Sequence, residues 1–267
     1  MTFVPRKIKR YGWRPDTPDL RDHIFKPELD QLSVPGSVDL TPEMPPIYDQ
    51  MQLGSCTGNG WARIMEYMGI KDGVAGTVTP SRLFIYYYER VLEGTPGSDS
   101  GAEIRDGAKV VATQGAPPET LWPYSDQDPG PYQQEPSTEA QTAAKKFEAL
   151  DYQRVQVGGP GAPMRSAIAQ GFPIVLGFMV PDYFEQGWDP TTVPLPVPTA
   201  SANIIGGHCV VLSGYDFTMQ RFKVPVFKAD NSWGASWGES GRFYFDYRWF
   251  TSSETNAGDM WIVKKVS

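Results

Sequence analysis

The apolar residues of this chain change their period partway along it, and that change restricts the fold more than any composition figure does. Trp61, Ile64, Met65 and Met68 fall at i, i+3, i+4 and i+7, one face of a helix, which Lys71-Asp72-Gly73 then stops. A second helix is predicted over Pro80 to Leu92, where Ser81 can cap and Leu83, Phe84, Tyr87 and Tyr88 keep the spacing. A third runs from Ala102 to Gln114 and ends at Gly115. Residues 123–140, rich in Pro, Gln, Asp and Ser, read as a surface loop, and Ala140 to Leu150 resumes a short helical pattern. Beyond it the runs are strand-like: Tyr152 to Val157, Pro173 to Val180, Cys209 to Tyr215, Arg221 to Ala229 and Arg242 to Asp246. A second loop, rich in Pro and Thr, covers Asp189 to Ala202. Helices first and strands later predict an α+β protein with segregated layers, not an alternating parallel sheet. Residues 1–36, basic at the start, Pro-containing and without a sustained period, are expected to form an extended arm.

Composition narrows the partners. The chain has 267 residues, 40% of them hydrophobic, enough for a sizeable core, and its net charge of −7 leaves no surplus of Lys and Arg for a nucleic-acid footprint. The N-terminus shows no apolar run after its basic residues and no small-residue cleavage site, so a cytosolic location is the default expectation, with signal-independent secretion left open. The longest apolar stretch, Phe172 to Val180, has nine residues, against ~20 for a membrane span. Only two cysteines, Cys56 and Cys209, and two histidines, His23 and His208, are available. His208 and Cys209 are adjacent and the other two isolated, so no pair has the short separation by which one turn presents two zinc ligands. No metal or cofactor is expected.

Cys56 follows Gly54-Ser55 at a helix start, where the helix dipole and a neighbouring imidazolium would lower a thiol pKa; the competing reading is a small buried hydrophobe. His208 opens a strand after Gly206-Gly207, where a side chain can face a cleft, although a core histidine is the alternative. Cys209 then points to the opposite face as a packed, inert residue, which argues against a Cys56–Cys209 bridge. The segment Asp230-Asn231-Ser232-Trp233-Gly234-Ala235-Ser236-Trp237-Gly238 could be a packed turn only, yet Asn231 could orient an imidazole and Trp233 exclude water from that contact.

Together, Gln50 to Cys56, the Gly-His-Cys-Val-Val-Leu strand and Asn-Ser-Trp-Gly-x-x-Trp-Gly resemble the three blocks of the papain family of cysteine peptidases, in that family's chain order. His208 follows Cys56 by 152 positions and Asn231 by 175, a little beyond the usual separation. The resemblance runs from about Val34 to the C-terminus. It implies a two-lobe fold, with a helical lobe mainly over residues 50–125, an antiparallel β-barrel-like lobe mainly over 150–250, and a cleft between them. It also implies an endopeptidase with Cys56 as nucleophile, His208 as its proton partner, Asn231 orienting His208 under Trp233, and Gln50 at the oxyanion hole. Asp99-Ser100-Gly101-Ala102 is similar to the stretch that pairs with substrate backbone. Ser100, Gly101, Ala102, Glu103, Gly177, Gly207, Cys209 and Trp233 are the implied substrate contacts, with Glu103 either favouring a basic residue or being a solvated helix-start carboxylate. Leu53 and Thr57 depart from the family's Cys and Trp, so the disulfide near the active site is absent; this, with the short arm, is similar to the xylellain-type bacterial branch. A catalytically reduced binding protein, or an amidase or acyl transferase with the same thiol chemistry, stays open as an alternative. The mature domain would span 37–267, and the arm of 1–36, too short for the usual helical pro-domain, is expected either to block the cleft, as in a zymogen, or to buttress the domain interface. Gly58 and Gly60 in the first turns of a helix each cost up to ~1 kcal/mol relative to Ala, which predicts close packing there.

Overall fold

Helices occupy the first half of the chain and strands the second, as the change of period predicts. The computed structural model describes residues 8–27, 34–157, 161–251 and 257–267. In chain order the elements are β1 (Trp13–Arg14), β2 (Ser37–Asp39), α1 (Cys56–Lys71), α2 (Arg82–Leu92), β3 (Ala102–Glu103), α3 (Ile104–Thr113) and α4 (Thr138–Ala144). They continue as β4 (Ala149–Val155), α5 (Ala162–Ala169), β5 (Ile174–Pro181), β6 (Ile204–Asp216), β7 (Val226–Asp230), β8 (Arg242–Asp246) and β9 (Ala257–Val266). The large sheet is antiparallel in the order β4-β9-β5-β6-β7-β8, with β2 added to β6. The fold is α+β and papain-like, helices on one side and sheet on the other.

Helix α1 is buried all round from Cys56 to Gly69, so its apolar stripe is only part of its packing. Trp61, Ile64, Met65 and Met68 share a core with Val175, Cys209, Val211 and Trp261 of the sheet. Its buried polar residues are satisfied across the lobes: Arg63 pairs with Asp230 of β7 at 2.6 Å, and Glu66 accepts the Tyr48 hydroxyl. The glycine expectation holds. A Cβ on Gly58 would lie 2.7 Å from the Arg82 carbonyl oxygen, and one on Gly60 3.2 Å from Cys209 Sγ. A second, aromatic core inside the sheet lobe gathers Phe178, Phe184, Trp233, Trp237, Phe243 and Trp249.

The elements differ from the sequence reading at several places. Helix α3 starts at Ile104 because Ala102 and Glu103 pair with the arm as a strand. The helical pattern placed at 140–150 ends at Ala144, and Ala149 already belongs to β4. Residues 221–225 are bends, since Pro225 lacks a ladder donor and β7 begins at Val226. Helix α5 and strand β9 were not expected: α5 has eight residues, too few to display a period, and the apolar run of β9 is only Met260 to Val263. Of the arm, residues 1–7 and 28–33 lie outside the described residues. No described helix is long and apolar enough to cross a membrane.

Candidate active site

Cys56 is the first residue of α1 and fully buried. Backbone N–H groups of Cys209, Gly12 and Thr57 reach its sulfur, but burial outweighs them and, with the nearby Glu89 carboxyl, pushes the thiol up to about 12. The helix-start argument predicted the opposite direction, and the reason for the difference is that the thiol is fully buried in the folded chain.

Side chains fix the turn that enters α1. Gln50 is fully buried, its Nε2 donating to the Leu53 carbonyl at 2.8 Å and its Oε1 accepting the Ser232 hydroxyl at 2.6 Å. The Gly54 N–H is held by both Asp99 carboxylate oxygens, at 3.0 and 3.1 Å. Asp99 also accepts the Tyr86 hydroxyl at 2.6 Å, and Tyr86 Oη accepts the Gly101 N–H at 3.0 Å. Asp99 and Tyr86 thereby tie the nucleophile turn to the glycine strand without a covalent bridge; both cysteines are free. Sequence reasoning quoted Asp99 only as part of the glycine stretch and missed this clamp, as it missed Ser232.

His208 lies on β6 opposite Phe178 of β5, and its neighbour Cys209 is the residue whose N–H reaches Cys56. His208 Nε2 is 2.8 Å from Asn231 Oδ1. That oxygen also accepts the Ser232 N–H at 2.8 Å, so it is the acceptor and Nε2 carries the proton. The other ring nitrogen is then the one that can exchange a proton with a thiol. Trp233, buried, lies 5.4 Å from the imidazole, centroid to centroid, at 35°. The Cys209 sulfur packs against Gly60 of α1, in the same core cluster as Cys56.

Chain segment 11–14 runs along β3 and against Gly177 of β5 and Gly207 of β6. Trp13 and Arg14 pair in parallel with Ala102 and Glu103, and the Ala102 N–H donates to the Gly12 carbonyl at 2.7 Å. Gly12 passes so close to Gly54 that a Cβ on it would lie 1.6 Å from the Gly54 carbonyl oxygen. Trp13 occupies the space that Gly177 and Gly207 leave: a Cβ there would lie 2.0 and 2.8 Å from its indole ring carbons. The Tyr11 ring meets His208 edge-on at 5.9 Å, and its hydroxyl donates to Glu185 at 3.0 Å. Thus Gly101, Ala102, Gly177 and Gly207 all line the space taken by the arm. Ser100 is turned aside to Thr95 Oγ1 at 2.8 Å, and Glu103 accepts from Thr17 N and Oγ1, while Arg14 is paired with Glu93. A tryptophan, not a cation, sits between Gly177 and Gly207. The only sequence signal for this occupant was a glycine between two large aromatics inside an otherwise featureless arm. Among the described residues no group of three or more His, Cys, Asp or Glu side chains is arranged to hold a metal ion.

A thiol at a helix start, an imidazole oriented by an amide, and a second amide at the entering turn are the parts of thiol nucleophilic catalysis. Comparison with known proteins agrees at the level of family. The family model described as "Papain family cysteine protease" matches residues 34–257. An uncharacterized peptidase C1-like protein of Acanthamoeba polyphaga mimivirus is 36% identical over 225 residues, 82% of this chain and 70% of that protein. The crystal structure of xylellain, a cysteine protease from Xylella fastidiosa, superposes with a TM-score of 0.88 at 35% identity over the whole of both chains. Procathepsin B from Trypanosoma congolense, 16% identical, matches 88% of this chain and 80% of its own with a TM-score of 0.68, a likeness of fold. The chain belongs to the papain family of cysteine proteases, in a xylellain-like bacterial form.

Proposed function

We propose that the protein is a cysteine endopeptidase whose cleft is closed by its own N-terminal arm. The observation that carries the chemistry is the 2.8 Å bond between His208 and Asn231 beneath Trp233, beside a thiol at the head of α1. With the arm displaced, water reaches Cys56, the burial that holds its proton is relieved, and the proton passes to His208. The Cys56 thiolate attacks the scissile carbonyl carbon; the C–S bond forms as the carbonyl electron pair moves onto oxygen, beside the Gln50 amide and the Cys56 N–H. Collapse expels the amine, which takes its proton from His208 and leaves a thioester. His208 then removes a proton from water, whose attack releases the acid and returns the thiolate. Asn231 keeps the imidazole tautomer fixed through both steps.

The closed-cleft reading is supported by what the arm offers the nucleophile. Gly12 presents its N–H to the sulfur, and its carbonyl is bonded to the Ala102 N–H of β3. The experiment is titration with an epoxysuccinyl thiol-peptidase inhibitor while hydrolysis of a dipeptide fluorogenic substrate is followed, with Cys56→Ala alongside. One inhibitor per active chain and no turnover in Cys56→Ala are expected; labelling and turnover that both survive in the alanine variant would overturn the assignment.

A further inference from the structure

Beyond the cleft the arm is held a second time, by a buried charge cluster that spans both lobes. Asp16, 8% exposed, accepts the Arg105 N–H of α3 through Oδ1 at 2.9 Å and the Trp261 indole N–H of β9 through Oδ2 at 3.0 Å. Its own N–H donates to Asp259 Oδ2 of β9 at 2.6 Å. Asp22, also on the arm, takes both ends of the Arg105 guanidinium, at 2.9 and 2.6 Å, and Arg154 Nη1 of β4 at 2.9 Å. Arg154 lies 3.6 Å from Asp16 and gives its other nitrogen to Asp259 at 2.8 Å. Three carboxylates therefore share two guanidiniums. Among the described residues the next ring supplies no compensating cation: Glu103 is a further carboxylate, Lys109 is paired with Asp106, Asp19 with Arg21, and His23 gives its backbone carbonyl to the Arg154 N–H. The cluster is one negative charge in excess, and a single proton would balance it.

We propose that this cluster is a proton-operated latch: with the extra proton bound the arm stays docked, and with it lost the arm is released, so the enzyme opens as pH rises and not as it falls. The inference rests on the reading that the docked arm closes the cleft. Burial, then repulsion from Asp259, raises the Asp16 carboxyl from its ordinary 3.8 to about 6, against the bonds from Arg105 and Trp261. A carboxyl that holds its proton more tightly docked than free favours docking fully below pH 4 or so, and loses that contribution as pH rises through about 6. Burial also opposes the charge of Asp22, but its bonds from Arg105 and Arg154 prevail and hold it below the ordinary value, so it stays ionised through this window. Docking should weaken by on the order of 30-fold between pH 4.5 and 8.

The test is amide hydrogen exchange of residues 11–22 in the full chain carrying Cys56→Ala, which removes the thiol's own titration, corrected for the intrinsic rate at each pH. Protection should fall by about that factor from pH 4.5 to 8, the dependence should vanish in Asp16→Asn, and it should shrink in Asp259→Asn. The last variant is conformationally mild, because Asp259 has φ 49 and Asn tolerates that region well. Protection flat with pH in the Cys56→Ala chain, or unchanged dependence in Asp16→Asn, overturns the latch. Protection that falls with pH while turnover of the native enzyme does not rise leaves the latch standing and refutes the closed-cleft reading instead.

Discussion

Replacing Trp13 with Ala isolates what the arm contributes to closing the cleft. The indole is 5% exposed and seated between Gly177 and Gly207. Burying a Trp removes roughly 150–250 Å² from water, which at ~25 cal/mol per Å² is about 4–6 kcal/mol. Against this, Trp13 Nε1 is buried without a hydrogen-bond partner among the described residues, and an unsatisfied buried N–H costs about 1–3 kcal/mol. The balance is about 1–5 kcal/mol in favour of docking, which at 1.36 kcal/mol per tenfold is roughly 5- to 5,000-fold in the docking equilibrium. The assay is the second-order rate of Cys56 alkylation by an epoxysuccinyl inhibitor at fixed pH, because labelling requires the open cleft and no substrate pocket beyond it. Trp13→Ala should label faster by a factor in that range, until opening ceases to limit the rate. Leu20→Ala should label at the native rate, since Leu20 is an arm residue with its side chain in solvent. A Trp13→Ala rate within about threefold of native would falsify the idea that the indole plugs the cleft, and equal acceleration by Leu20→Ala would mean that arm integrity in general, not the Gly177–Gly207 slot, was being measured.

Asp99→Ala leaves two buried donors, the Gly54 N–H and the Tyr86 hydroxyl, without their shared acceptor, so stability should drop by about 2–4 kcal/mol in denaturant titration and kcat should fall more than KM rises. Asp99→Asn, which keeps an acceptor, should recover most of both; equal damage by the two substitutions would show that the charge, not the tie, matters. Glu89 is fully buried beneath the Thr57 hydroxyl, which it accepts at 2.7 Å, and burial raises it from 4.5 to about 8. A carboxyl raised in the folded state stabilises fully below pH 4.5 and loses that contribution as pH rises through about 8. Glu89→Gln should therefore flatten the decline of stability over that interval by a few kcal/mol, at 1.36 kcal/mol per pH unit, and a melting temperature whose pH profile matches the native one counts against a neutral Glu89.

The family was legible in the sequence because its signature residues are carried by short local blocks: a cysteine at a helix start, a histidine after two glycines in a strand that begins earlier than expected, at Ile204, and an asparagine before two Trp-Gly turns, each within a dozen residues. The glycines in α1 were legible too, since Gly58 and Gly60 contradict helix propensity and only close packing explains them. What the sequence did not carry is everything fixed by contact between distant segments. Gly12 against Gly54, Trp13 between Gly177 and Gly207, and Asp16 beside Asp259 join positions far apart in the chain, and no period or propensity marks them.

The sign of the Cys56 shift joins these two kinds of information. Local sequence, a thiol at a helix N-terminus near an imidazole, argues for an acidic thiol; the folded chain with its arm in place holds the thiol up to about 12. Both follow if the local argument describes an open cleft and the structure a closed one: undocking would remove the Gly12 N–H but leave those of Cys209 and Thr57, and would relieve burial, the larger effect. On the proposed reading, arm docking would suppress the chemistry twice, by occupying the cleft along β3 and by keeping the nucleophile protonated. The second effect is linked to the first: a state that holds the Cys56 proton more tightly must itself be favoured by that proton. Release of the arm and ionisation of the thiol are therefore one equilibrium, drawn in the same direction by rising pH as the Asp16 cluster.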